Sequence, residues 1–379
     1  MTSPRPVEGS TLSNRQLNRS LLARQLLLDR RQRSAASVIE HLVGMQSQVP
    51  KDPFIGLWTR IDGFDHAELD HLMLNRQVVR IVAMRGTIHL LTARDACLLR
   101  PMMQAMLERF VTSNASHGPN LAALDLDAIS EAGRQLVDQQ PSTARQIGVH
   151  LATRWPDRDP SSLAFAVRSF LPLVQVTPRG LWGKSQQPTL ITIEAWLGRP
   201  IERYRDPGEG ILRYLAAFGP ATIADIQGWS SLNGLGEHVE RLRPRLVTYR
   251  DERNRELFDV PDGPFPDPET PAPIRFLPGF ENALLAHVDR TRIVSDEHRK
   301  LMWKVNGLID PSILIDGYVA GTWKLTKAKG EARLDITPFD APLPPDTRSD
   351  LEAEGQKLLG FLAADTERHD VFFSDSVST

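Results

Sequence analysis

Between Asp262 and Pro273 the chain reads Asp-Gly-Pro-Phe-Pro-Asp-Pro-Glu-Thr-Pro-Ala-Pro. Each proline fixes its own φ and removes a backbone donor, so neither a helix nor an inner strand runs through such a stretch. It therefore divides the fold. Ahead of it lie helical patterns interrupted by short β-branched runs. Behind it come short strand patterns at 274–277, 313–315, 318–325 and 332–336, with Asp316-Gly317 as a tight turn. One helical pattern, near 349–364, precedes a last strand at 371–373. A small barrel-like β domain fits this half. A chain of 379 residues is too long for one small core, so the helical half calls for further division.

A repeat supplies it. Pro141-Ser142-Thr143-Ala144-Arg145-Gln146-Ile147 and Pro220-Ala221-Thr222-Ile223-Ala224-Asp225-Ile226 share Pro, small, Thr and a terminal Ile, and lie 79 residues apart. Proline breaks the preceding element, threonine caps a new helix, and isoleucine starts its buried face. A second helical stretch follows each copy, at 161–170 and 235–242, and then a hairpin pattern, at 174–182 and 246–260. The opening of the chain shows the same plan. Helices over 14–28, 34–46 and 67–75 lead into 78–91, a β-branched run with a central Arg85-Gly86 that reads as a hairpin. Helices followed by a hairpin are the plan of a winged helix. The expected fold class is α+β: three tandem winged-helix units followed by a C-terminal β-barrel-like domain. The boundaries are 12–118, 119–205 and 206–262 for the units, 263–273 for the linker and 274–379 for the last domain.

The stretch Gly44-Met45-Gln46-Ser47-Gln48-Val49-Pro50 stands out within the first unit. Val38, Leu42 and Met45 recur at helical spacing, and Pro50 biases Val49 out of the helical region. The two glutamines are thus expected where helix becomes loop. Glutamine is also an ordinary surface residue, so the pattern alone carries no chemistry.

Composition excludes several classes. The formal net charge is −2, so any nucleic-acid footprint must be local. Arg15, Arg19, Arg24, Arg30, Arg31 and Arg33 make the opening segment locally basic, whereas the end of the chain is acidic. Cys97 is the single cysteine, which leaves no internal disulfide and no cysteine-rich zinc site. No apolar run reaches the roughly 18–20 residues that span a bilayer, and no signal peptide is evident. A cytoplasmic monomer without cofactor or metal is expected.

The motifs resemble a known family, the winged-helix DNA glycosylases of the AlkZ and YcaQ type. The resemblance rests on Gly44-Met45-Gln46-Ser47-Gln48, Arg85-Gly86-Thr87-Ile88-His89-Leu90 and Leu277-Pro278-Gly279-Phe280-Glu281-Asn282. It continues with His287-Val288-Asp289-Arg290-Thr291-Arg292 and Asp316-Gly317-Tyr318-Val319-Ala320-Gly321-Thr322-Trp323. It implies a glycosylase that removes bulky or crosslinked N7-alkylguanines from duplex DNA. The family's catalytic motif is Gln, an aliphatic residue, then Gln or Asp. Gln46 and Gln48 fall on its outer positions, and Ser47 departs from the aliphatic middle.

The implied chemistry is simple. An N7-alkylguanine is a cation and leaves as a neutral base, so no acid need protonate it. Water must attack the oxocarbenium-like sugar, and a glutamine carbonyl can accept a hydrogen bond from that water. His89, in the first hairpin, is a candidate for contact with DNA or the water. Arg85, Arg179 and Arg250 lie in or beside hairpins and are candidates for phosphate contact. His287 and Asp289 lack a third metal ligand and read as interface residues. The rival reading is a non-catalytic winged-helix DNA-binding protein, such as a transcriptional regulator.

Overall fold

The computed structural model describes residues 5–304, 307–340 and 342–374. The extreme ends of the expected tail and of the expected C-terminal domain lie outside them. The first helix, Asn14–Arg24, opens with a capping box in which Ser13 and Gln16 satisfy each other's backbone N–H groups. It is buried along most of its length, polar residues included. Arg24 pairs with Asp259 at 2.7 Å and donates to the Leu215 carbonyl. Arg19 pairs with Asp316, and Arg30 with Glu354 at 2.6 Å. Much of the opening segment's charge is therefore turned inward. Arg19, Arg24 and Arg30 pair with carboxylates from distant parts of the chain, because a buried guanidinium needs paired charge, while Arg31 and Arg33 stay exposed.

Both copies of the repeat cap their helices in the same way. Thr143 and Gln146 form one capping box, and Thr222 and Asp225 form the other. Ile147 and Ile226 are fully buried. The second segment runs through helices Leu126–Gln139, Ala144–Ala152 and Pro160–Phe170, and the third through Gly208–Phe218, Ile223–Ser230 and Gly236–Leu242. A hairpin follows each set. The third, Val247–Asp251 with Glu256–Asp259, lies where the sequence places it, and Thr11–Leu12 adds a parallel third strand. The second differs: Leu173–Gln175 pairs with Thr189–Thr192, and Arg179 and Trp182 lie in the long loop between them.

The first two hairpins are not independent wings. Val78–Val82 pairs with Ile88–Thr92 on one side and with Leu173–Gln175 on the other, through Arg80 with Gln175 and Ile81 with Val174. Adding Met45–Gln46 and Ser142–Thr143 at the edges gives a six-stranded sheet. Joining the hairpins satisfies two rows of backbone groups that separate wings would leave as open edges.

The proline-rich stretch is strapped down. Phe265 packs edge-on against Tyr249, and the carbonyls of Pro264 and Thr270 accept from Ser20 and Arg19. Beyond it, five strands form a sheet in the order Arg275–Leu277, Ser312–Ile315, Tyr318–Ala328, Glu331–Pro338 and Arg368–Phe373, the last joining in parallel. The expected barrel is absent: the described strands form an open sheet. Helix Pro345–Leu362 sets Leu351, Leu358, Leu359 and Leu362 against Leu334 and Ile336, so the apolar face is covered by a helix rather than by closure.

Candidate active site

The segment bearing the two glutamines is built by an abrupt helix stop. Helix Ala35–His41 ends five residues before Gln46, where the spacing predicts the stop. Val43 and Gly44 both take positive φ, +56° and +88°. The Gly44 N–H reaches the Ile39 carbonyl and the Val43 N–H the Glu40 carbonyl, the paired bonds of a Schellman motif. Only glycine fits at 44, since a Cβ there would lie 2.2 Å from Leu91 Cδ2. The chain then turns extended. Met45–Gln46 pairs with Ile88–Thr92, setting Gln46 opposite His89. The strand ends at Gln46 and Gln48 lies in a bend just beyond it, so the two glutamines are not held about 200° apart as a continuing helix would hold them.

Two arginines grip this segment from below. Arg80, 3% exposed, donates to the Ser47 hydroxyl and to the Ser47 carbonyl at 3.0 and 2.7 Å. Arg85 sits at the hairpin turn with φ +56°. Its guanidinium faces inward, donating to Gln46 Oε1 at 2.7 Å and to the Trp229 carbonyl at 3.1 Å. A guanidinium only donates, so the Gln46 amide is fixed with its oxygen toward Arg85. Burial, with the nearby Arg290 cation, pulls Arg85 down to about 10, which leaves it charged at neutral pH. Gln46 is 7% exposed, whereas Gln48 is exposed, with the Ile88 N–H reaching its Oε1 at 3.4 Å.

His89 is fully buried beside them. Its Nδ1 lies 3.1 Å from the Thr87 carbonyl and so carries the proton, leaving Nε2 to face Arg85 at 3.4 Å. Burial and the Arg85 charge lower its pKa to about 3, so it stays neutral throughout the physiological range. Arg179 lines a groove of about 860 Å³ that begins at Val49, Pro50 and Lys51. Lys184, Lys327, Phe54, Trp182 and Phe361 line it too. Arg250 lies apart, exposed on the third hairpin and bonded to the Asn254 carbonyl. The structure thus brings Gln46, Gln48, Arg85 and His89 together, sets Arg179 beside them and leaves Arg250 elsewhere.

The C-terminal motifs close the site and tie it to the rest of the molecule. Pro278, Gly279, Phe280, Glu281 and Asn282 face Leu42, Met45, Gln46 and Asp52 across a narrow cleft. Asn282 donates to the Gly44 carbonyl, and Glu281 takes both Arg60 nitrogens. His287 bonds to the Phe218 carbonyl, and Asp289 takes Arg253 and Arg255, so both serve the contact with the third segment. Asp52 is the residue that sequence reasoning missed. It reads as an ordinary first residue of helix Asp52–Arg60, yet it is 4% exposed and burial lifts its pKa to about 7.

A fold of this topology with a buried amide network at a sheet edge defines a class that comparison with known proteins makes specific. The family model for AlkZ-like DNA glycosylases matches residues 39–361. The solved DNA glycosylase AlkZ of Streptomyces sahachiroi superposes with a TM-score of 0.78 over 96% of this chain and 100% of its own, at 22% identity. An interstrand DNA cross-link repair glycosylase of Streptomyces sahachiroi is 26% identical over 346 residues, 86% of this chain and 89% of its own length. The chain belongs to the AlkZ-like DNA glycosylase family and is a DNA glycosylase, a hydrolase of base–sugar bonds. That answers the regulator alternative with an enzyme family. No described helix is long and apolar enough to cross a membrane.

Proposed function

We propose that this glycosylase excises bulky or crosslinked cationic N7-alkylguanines from duplex DNA, with Gln46 and Gln48 holding the attacking water. The observation that carries the reading is the Arg85 bond to Gln46 Oε1, which fixes a buried amide before substrate arrives. One lone pair of that oxygen serves Arg85 and the other is left for a water hydrogen. Gln48, exposed and only weakly held, supplies the second acceptor from the solvent side. Neither amide is a strong base, so an uncharged guanine is left alone and a cationic one is released. The interstrand cross-link named for the Streptomyces relative is a lesion of this electronic kind when it joins guanine N7 atoms.

In the same reading the protein acts as a monomer. Residues 12–118, 119–205 and 206–262 are three winged-helix units that cradle the duplex, strapped by 263–273 to a C-terminal domain from 274. The groove lined by Lys51, Arg179, Lys184 and Lys327 takes backbone phosphates next to the glutamines. The test is release of free base from a duplex carrying a single N7-alkylguanine. Gln46→Ala and Gln48→Ala each lose release while keeping DNA binding, and Gln48→Asp retains it. Base release undiminished in both alanine variants overturns the reading, and a salt-dependent DNA shift without any base release favours a binding protein.

A further inference from the structure

The cleft between Gln46 and the 278–282 segment has about 10 Å³ of free volume, room for a single water. Three polar groups line it besides the paired Glu281: the Gln46 amide, the Asp52 carboxyl and Asn282. Asn282 is 6% exposed and its Oδ1 has no hydrogen-bond partner among the described residues, although its Nδ2 is fixed on the Gly44 carbonyl. Asp52 bonds the Val49 carbonyl through its backbone N–H, and its carboxyl makes no ion pair or hydrogen bond among the described residues. Its Oδ2 would meet a Cβ at Gly279 at 3.4 Å, so the glycine leaves that oxygen uncrowded. A carboxyl that makes no hydrogen bond and a buried amide oxygen without a partner, on residues that line one water-sized space with Gln46, form a seat for a water that must be held and relieved of a proton.

We propose that Asp52 is a further catalytic residue, the base that deprotonates the attacking water seated against Gln46 at the edge of this cleft, where Gln48, which does not line the cleft, reaches it from the solvent side. This rests on the glutamine reading above. As the water oxygen bonds to the anomeric carbon, the bond from that carbon to base N9 breaks and its electron pair neutralises the cationic purine. One water proton passes to the Asp52 carboxylate and the other stays as the sugar hydroxyl. No oxidant or cofactor is required. The charged groups around Asp52 are few. Burial is the main force holding it protonated up to about 7, Glu281 adds to that, and Lys51 opposes it. Arg60 is engaged by Glu281, and the helix N-terminus favours the ionised form.

The experiment is single-turnover release of N7-methylguanine from a methylated duplex between pH 5.5 and 8.5. The glutamines and the neutral His89 do not titrate there, and any slope from the N1 proton of the alkylated guanine persists in Asp52→Asn, so the slope that Asp52→Asn abolishes belongs to Asp52. The wild-type rate rises about tenfold per pH unit below about 7 and levels above it, the form of a base that works when ionised. Asp52→Asn gives a flat profile, about 10²-fold slower at pH 8, with DNA affinity unchanged. Folding is checked separately. A carboxyl whose pKa is raised on folding contributes stability that is present at low pH and lost as pH rises through about 7. Asp52→Asn therefore melts no lower than wild type at pH 8. A flat wild-type profile, or an Asp52→Asn rate equal to wild type, overturns the proposal. Loss of release in Gln46→Ala and Gln48→Ala alongside a wild-type rate in Asp52→Asn removes Asp52 and leaves the glutamines standing.

Discussion

The first and third hairpins carry the same kind of residue, an arginine in or near the turn, and use it in opposite ways. Arg85 lies in a hairpin flanked by strands on both sides, Met45–Gln46 on one and Leu173–Gln175 on the other. It takes a left-handed backbone and sends its charge inward to Gln46. Arg250 lies in a hairpin joined on one side by Thr11–Leu12 and on the other by only the single Ala221–Phe258 bridge. Its side chain is exposed and holds only the Asn254 carbonyl of its own turn. What surrounds the hairpin decides the role. Enclosure sets the charge of Arg85 on a neighbouring side chain, and exposure leaves that of Arg250 facing solvent.

The contrast is sharpened first at the residue Arg85 clamps. Gln46→Ala is expected to slow single-turnover release by about 10²- to 10³-fold, the usual cost of removing a preorganised polar group. The double change with Gln48→Ala is expected to cost less than the product of the two, since the proposal has both holding one water. Arg85→Ala comes next. A lost hydrogen bond from a charged group costs about 1.5–3 kcal/mol, so release slows by roughly ten- to a hundredfold. DNA affinity stays near wild type, contrary to what a phosphate-contacting arginine would give. Arg250→Ala is smaller and of the other kind: affinity falls modestly, release from bound DNA is unchanged, and the salt slope of binding drops by about 0.9 if one phosphate contact is lost. Equal effects of Arg85→Ala and Arg250→Ala on binding would erase the comparison. The smallest expected effect is that of His89 on the pH profile. Held neutral by burial and Arg85, it adds no inflection near 6.5 in Asp52→Asn protein.

Local signals in the sequence were strong where the physics is local. The Pro-small-Thr repeats form capping boxes because the cap, its reciprocal side chain and the following isoleucine lie within one turn. The third hairpin falls where alternation puts it. The stop of the helix before Gln46 was misplaced because Val43, a β-branched residue, takes the left-handed position that sequence rules reserve for glycine. The merging of two hairpins into one sheet depends on an edge pairing between residues more than ninety apart, which no periodicity reports. The glutamines could be picked out by motif. The inward turn of Arg85, the depth of Asp52 and the neutralised arginines of the first helix depend on segments from across the chain. Arg19 meets Asp316 and Arg24 meets Asp259 only in the folded state.

The claim that Arg85 acts through Gln46 is tested most directly by a double-mutant cycle on single-turnover base release from an N7-alkylguanine duplex. The cycle compares wild type, Gln46→Ala, Arg85→Ala and the double variant, with DNA affinity measured on each. The account predicts that each single change slows release, that affinity holds, and that the double variant is no slower than Gln46→Ala alone. Losses that multiply in the double variant would contradict it, because two groups that act independently do not form one clamp on one water.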